Sequence, residues 1–257
     1  MDAPRRTRHS HHGLAYRLHT SPASAGADSS VIVLLHGIGM SHRYLARLHR
    51  ELEASGTVIS FDLPGFGGTP KPRNSVPVEQ YAQLVAHALD CAGVTECVVV
   101  GHSMGGQFAV ELARQRPSLV SHAVLMGPVV DSRRRSVLRQ ALALAVDSLG
   151  EPPSANAIVF TDYLRCGPRW YLTELSEMMA YPTEERITDV AAPVLVLRGT
   201  RDPIAGRVWS ALLAARARQG RMLELLGNHV VQQSAPVRVA DAIRSFVTDP
   251  LAVGCAP

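Results

Sequence analysis

The chain has 257 residues, 46% of them hydrophobic and 19% charged, which suits one α/β domain with a large core and is short for two independent enzymatic domains. A net charge of +4 arises from scattered arginines without interleaved aromatics, which argues against a nucleic-acid partner. No apolar run approaches the ~18 residues that span a bilayer, and polar, His-rich sequence follows Arg5, Arg6 and Arg8 where a secretion signal would be apolar, so a cytoplasmic protein with no membrane partner is expected.

Residues 1–12 look like a flexible leader, with His9, His11 and His12 as solvated tail. An edge strand over 14–19 and a Ser/Ala/Gly-rich loop over 21–30 come next. Val31, Ile32, Val33, Leu34 and Leu35 form a continuous apolar run, the pattern of a strand buried on both faces of a parallel sheet. It ends in His36-Gly37-Ile38-Gly39. Ser41 offers an N-cap for a helix in which Tyr44, Leu45, Leu48 and Leu52 recur at helical spacing. A strand over 57–61 runs into Asp62-Leu63-Pro64-Gly65-Phe66-Gly67-Gly68, followed by a helix with Tyr81, Leu84, Val85, Ala88 and Leu89 on one face. The strand over 97–100 meets Gly101-His102-Ser103-Met104-Gly105-Gly106, a helix runs to Pro117, and a short strand over 123–126 ends at Gly127-Pro128.

From 131 to 189 the alternation of strand and helix stops, leaving helical runs at 137–149 and 170–180 around a Pro152-Pro153 breaker. It resumes with a strand leading to Gly199-Thr200-Arg201-Asp202, a helix carrying Trp209, Leu212 and Leu213, a strand over 222–226 and then Gly227-Asn228-His229. The last helix places Val239, Ala240, Ile243, Phe246 and Val247 on one face. The predicted architecture is a doubly wound, mostly parallel α/β sheet built from 13–130 and 190–257, with 131–189 inserted as a helical cap. Cys91, Cys97, Cys166 and Cys255 lack metal-ligand spacing, so no metal, cofactor or disulfide framework is expected.

In such a sheet ligands bind outside the carboxyl ends of the strands, which is where His36-Gly37-Ile38, Ser103, Asp202 and His229 fall. Glycines two residues before and after Ser103 allow a strand to double back into a helix, exposing the hydroxyl and aiming the next N–H, that of Met104, at the same space. A serine hydroxyl needs a base within reach, and the base needs a carboxylate to fix its tautomer. Ser103, His229 and Asp202 supply those groups. The loop Gly37-Ile38-Gly39 can bring a second backbone donor close to a developing oxyanion.

With these motifs in the order Ser, Asp, His, the chain resembles the α/β-hydrolase family, serine-nucleophile branch. The resemblance implies Ser103 as nucleophile, His229 as general base, Asp202 as its orienter, and the N–H groups of Ile38 and Met104 as the oxyanion hole. Ser at the elbow argues against dehalogenases and epoxide hydrolases, which carry Asp there. The elbow lacks the Gly-Gly-Ser-Trp-Gly of proline iminopeptidases, and His102 stands where many carbon–carbon bond hydrolases have Asn. The leading expectation is hydrolysis of a small, mostly apolar ester, lactone or thioester through an acyl-enzyme. A carbon–carbon bond hydrolase or non-hydrolytic lyase or cyclase on the same triad, and a ligand-binding receptor with little turnover, stay open.

Some family members place the acid after the strand that here ends near Gly127, which makes Asp131 the rival to Asp202. Asp202 is preferred because it leaves its strand through Gly199, whereas Asp131 opens the insertion beside Arg133. His36 and Asp62 are expected to pin loops. Tyr163, Trp170, Tyr171, Met178 and Met179 are expected to wall the substrate site or pack the cap. Arg133, Arg134 and Arg135 form a solvated face of the insertion, unless one turns inward toward a substrate carboxylate.

Overall fold

The computed structural model describes residues 3–23, 30–131 and 153–249. In chain order these form β1 (Arg5–His11), β2 (Leu14–Ser21), β3 (Val31–Leu35), α1 (His42–Leu52), β4 (Thr57–Asp62), α2 (Val78–Cys91), β5 (Cys97–His102), α3 (Met104–Gln115) and β6 (Val120–Met126). The insertion follows with α4 (Pro153–Cys166), α5 (Pro168–Ala180), α6 (Thr183–Arg186) and a 3₁₀ turn (Ile187–Asp189). The chain then closes with β7 (Val194–Gly199), α7 (Arg207–Arg216), β8 (Gly220–Leu225), α8 (Val231–Ser234) and α9 (Pro236–Thr248).

The strands make one eight-stranded sheet in the order β1-β2-β4-β3-β5-β6-β7-β8. Pairing is parallel from β4 through β8 and antiparallel at β1–β2 and β2–β4. The central strands are apolar on both faces because helices cover both. Ile32, Leu34, Val98 and Val100 pack with Leu45 and Leu48 of α1 and Ile243 and Phe246 of α9. Val33, Leu35 and Val99 pack on the opposite side with Tyr81 of α2, Phe108 of α3 and Leu213 of α7. The period-2 alternation thus splits each strand between two cores. This is the doubly wound sheet expected from the sequence, and no helix among the described residues is long and apolar enough to cross a membrane.

The flexible leader is corrected. Arg5–His11 is a strand, paired in register from Arg5 opposite Thr20 to His11 opposite Leu14. The hairpin turns on His12 and Gly13, both left-handed at φ 47° and 78°, the two-residue turn whose twist matches that of paired strands. The segment lacks apolar residues because it lies at the sheet edge with its side chains largely exposed. Its histidines are not simply solvated: His9 stacks on Tyr16 at 5.4 Å and His11 on His87 at 3.7 Å.

Ser41 precedes α1 but makes no side-chain cap. Its hydroxyl donates instead to Asp162 Oδ2 at 2.5 Å, joining the core to the insertion, and the first N–H of α1, on His42, donates to Asp62 Oδ1 at 2.7 Å. The described part of the insertion, 153–189, is helical. The expected helical run at 137–149 and Arg133–Arg135 lie outside the described residues, as does Cys255. Among the described residues Cys91, Cys97 and Cys166 are free thiols.

Candidate active site

Strand β5 is central and fully buried, and the chain leaves it through Ser103 at φ 56°, ψ −122°, straight into α3. That left-handed conformation is sterically costly for a residue with a Cβ, on the order of 1–2 kcal/mol. It is held by a hydrogen bond from Ser103 N to the Met126 carbonyl of β6 at 2.9 Å. The flanking glycines are required by approach: a Cβ on Gly101 would lie 2.0 Å from the Gly105 carbonyl oxygen, and one on Gly105 would lie 2.3 Å from that of Leu35. Met104 is the first residue of α3, so its N–H is among the donors the helix leaves without an internal partner.

The loop after β3 lies against the serine. A Cβ on Gly37 would stand 2.9 Å from Ser103 Cβ and 3.4 Å from its Oγ, and the next residue, Ile38, is buried. His36 pins this loop: its Nδ1 donates to the Gly37 carbonyl at 2.8 Å and its Nε2 accepts from Leu63 N at 3.1 Å. Both nitrogens are engaged in a neutral ring, and burial lowers its pKa further, against the pull of the Gly37 carbonyl and nearby acids.

Asp202 and His229 meet over the end of the adjacent strand. His229 Nδ1 lies 2.9 Å from Asp202 Oδ2, with both side chains buried. Asp202 Oδ1 accepts from Ile204 N at 2.8 Å and Ala205 N at 2.9 Å, so neither carboxylate oxygen is left unpaired. Burial acts to raise the Asp202 pKa, but the charge and hydrogen bond of His229 and the two backbone donors outweigh it and lower it. A carboxylate accepts only, so Nδ1 of His229 carries the proton and Nε2 of the neutral ring holds a lone pair. Gly127, at the end of β6, leaves the necessary space: a Cβ there would be 2.9 Å from the His229 ring and 3.4 Å from Asp202 Oδ2.

The two loops are locked together. Arg201 N donates to the Gly227 carbonyl at 2.9 Å, and a Cβ on Gly199 would stand 2.2 Å from the Asn228 carbonyl oxygen. Arg198, buried at the end of β7, was not singled out from the sequence. It donates to the backbone carbonyls of Asp202 at 3.0 Å and Ala205 at 2.6 Å and pairs with Glu224 at 2.5 Å. A charged residue inside an otherwise apolar strand run was the available signal. Asp131, the rival acid, is half-buried past the end of β6, and the carboxylate on His229 Nδ1 is that of Asp202.

The insertion brings aromatic side chains onto the loops beside Ser103. Cβ positions at Gly39 fall 2.5 Å from the Tyr163 ring and 3.4 Å from that of Tyr171, and at Gly65 2.1 Å from Trp170 Nε1. Tyr163 and Tyr171 meet edge to face at 5.4 Å, and burial raises the Tyr171 pKa. Trp170 is buried with its indole N–H unpartnered among the described residues, and its ring centroid is 6.2 Å from that of Phe66. Met178 sits elsewhere, buried in the core beside α3, with its carbonyl accepting from Gln107 Nε2 at 2.9 Å; Met179 is half-buried against the same core. Among the described residues no cluster of His, Cys, Asp or Glu could hold a metal ion.

The family described as Alpha/beta hydrolase family matches residues 32–242. An uncharacterised protein of Mycobacterium tuberculosis is 27% identical over 262 residues, covering 84% of this chain and 74% of that protein. The (E)-2-((N-methylformamido)methylene)succinate hydrolase of Acinetobacter baylyi is 23% identical over 241 residues, covering 86% of this chain and 91% of that one. Among solved structures, the enol-lactonase from Burkholderia xenovorans LB400 superposes with a TM-score of 0.81 at 20% identity, covering 95% of this chain and 100% of that one.

Proposed function

The chain is a hydrolase belonging to the alpha/beta hydrolase family, and from that premise we propose that it cleaves a small, mostly apolar ester, lactone or thioester through an acyl-enzyme on Ser103. The observation that carries this reading is the buried Asp202–His229 pair at 2.9 Å, standing at the strand end next to a serine held at φ 56°. In this mechanism Ser103 Oγ attacks the carbonyl carbon while His229 Nε2 takes the hydroxyl proton, and Asp202 stays ionised and steadies the imidazolium. The N–H groups of Ile38 and Met104 donate to the developing oxyanion. The proton on His229 passes to the departing alcohol or thiol, and water, activated by the same imidazole, releases the acid and restores Ser103.

Residues 131–189 act in this reading as a cap over a core made by the rest of the chain. Tyr163, Trp170 and Tyr171 form an apolar wall that excludes water and limits the acyl or alcohol group. The reaction needs no cofactor, and the proposed setting is the cytoplasm. The enol-lactonase neighbour supports including lactones among the substrates tried.

The test is a panel of chromogenic esters, thioesters and lactones of graded chain length, neutral and carboxylate-bearing, followed by intact-mass detection of the acylated protein. We expect an acyl adduct on Ser103 with short neutral substrates, and a fall in kcat of at least ~10³-fold in Ser103→Ala. An adduct on another residue, or undiminished turnover in Ser103→Ala, overturns the assignment.

A further inference from the structure

His102 is the last residue of β5 and the direct neighbour of Ser103, and the mechanism above gives it no task. The residue is 1% exposed. Nε2 lies 3.0 Å from the backbone carbonyl oxygen of His229, and a carbonyl only accepts, so Nε2 carries the proton. Nδ1 is then an acceptor, and the Tyr44 hydroxyl, 3.0 Å from Nδ1 and 3.3 Å from Nε2, donates to the nearer Nδ1. The His102 and His229 rings also touch, with centroids 4.7 Å apart.

Helix α1 closes the brace. Gln233 Nε2 donates to the Tyr44 carbonyl at 2.6 Å, and Arg47 donates to the Gln233 carbonyl at 3.0 Å. Gln233 N in turn donates to the Val230 carbonyl at 2.8 Å. The turn bearing His229 is therefore held to α1 by two routes, one through Gln233 and one through His102.

The need for such a tie follows from the sheet. His229 lies beyond β8, which is an edge strand and mostly half-buried, whereas Ser103 leaves the buried central strand β5. A base on an edge loop and a nucleophile on a central strand keep their spacing only if something spans them, and a misplacement of about 1 Å can cost about 100-fold in rate.

We propose that His102 is a positioning residue that sets the spacing between Ser103 and His229 by gripping the carbonyl of the base from the position adjacent to the nucleophile. This rests on the reading of Ser103 and His229 as nucleophile and base. Burial, with the neighbouring His229, pushes the His102 pKa down to about 3, so the grip is made by a neutral ring. It adds no positive charge beside an imidazolium forming on His229.

The test is a double-mutant cycle in kcat and KM on the best ester of the panel. His102→Ala should lower kcat about 10- to 100-fold with KM changed less than about twofold. His102→Gln, whose amide N–H can reach the same carbonyl, should regain about tenfold of that loss, and it also stands in if the alanine variant fails to fold. In a His229→Ala background the His102→Ala step should cost less than about twofold, because there is no base left to position. An undiminished loss in that background, a loss confined to KM, or equal defects in the Ala and Gln variants would each overturn the proposal. Full activity in His229→Ala alone overturns the base assignment and with it this role, and that single variant tells the two failures apart.

Discussion

Two buried aspartates end parallel strands of the same sheet, and each touches a histidine. Asp62, at the end of β4, lies 2.9 Å from His19 Nε2, and Asp202, past β7, lies 2.9 Å from His229 Nδ1. They differ in what else reaches the carboxylate. Asp62 also accepts from Arg17 NH1 at 2.7 Å and from the first N–H of α1, whereas among the described residues Asp202 receives only backbone N–H groups besides its histidine. The guanidinium of Arg198 grips the backbone carbonyl of Asp202, not its carboxylate, and is balanced by Glu224. A carboxylate already paired with a guanidinium has little charge left to stabilise an imidazolium, so Asp62 fastens β2 to β4 and α1. Asp202, with no cation fixed on it among the described residues, is free to act on its histidine.

The largest expected effect is kinetic and separates the pair directly. Asp202→Asn should lower kcat about 10³- to 10⁴-fold, since the amide favours the wrong imidazole tautomer, while Asp62→Asn should cost less than about tenfold. Steady-state kinetics on one ester decides this, and comparable losses in both variants would erase the distinction drawn here.

A stability measurement inverts the ranking. Removing one partner of a buried ion pair costs about 3–5 kcal/mol, because the other charge stays buried without its counter-ion. Arg17 is 6% exposed, so Asp62→Ala should lower the melting temperature by about 10 °C. Asp202→Ala strands no guanidinium and should lower it less. A larger drop for Asp202→Ala would show that Arg17 does not depend on Asp62.

The smallest effect is in the acid limb of stability. Burial raises the Asp62 pKa, but the His19 hydrogen bond, the His42 N–H and the neighbouring charges hold it down to about 2, below its ordinary 3.8. Its contribution is therefore complete above about pH 4 and lost as pH falls through about 2. Burial pushes His42 to about 3 and His49 to about 4, below the ordinary 6.5, and nearby histidine charges add to both shifts. Their unfavourable protonation begins to erode stability as pH falls below about 6.5. Denaturant melts from pH 7 to 2 should show both slopes in the wild type. Asp62→Asn should keep the slope between about pH 6.5 and 4 and flatten the part below it; an unchanged lower part contradicts the assignment.

The local devices of this chain were legible because neighbours in sequence cause them. Gly101 and Gly105 read directly as a forced close approach of strand and helix at Ser103, and the apolar run at Val31–Leu35 reads as a strand covered on both faces. The polar strand Arg5–His11 did not stand out, because edge pairing uses backbone groups and asks nothing of side-chain polarity. Its one local cue was His12-Gly13 between the two strands.

What only the tertiary structure decided are the polar partners that come from far along the chain. Asp62 and Asp202 each follow a buried strand, and the resemblance to the family already set Asp202 with His229 and left Asp62 to pin a loop, without naming what Asp62 would hold. Arg17, 45 residues before Asp62, gives the first its structural task, and the 2.9 Å contact with His229, 27 residues after Asp202, gives the expected pair its geometry. Ser41 looked like a helix cap until Asp162, 121 residues away, took its hydroxyl, and His102 was a motif residue until the carbonyl of His229, 127 residues on, reached its ring. Burial periodicity is written into a segment by its own residues, but a directional hydrogen bond exists only when two separate segments are brought within about 3 Å of each other, and that is decided by the packing of the whole sheet.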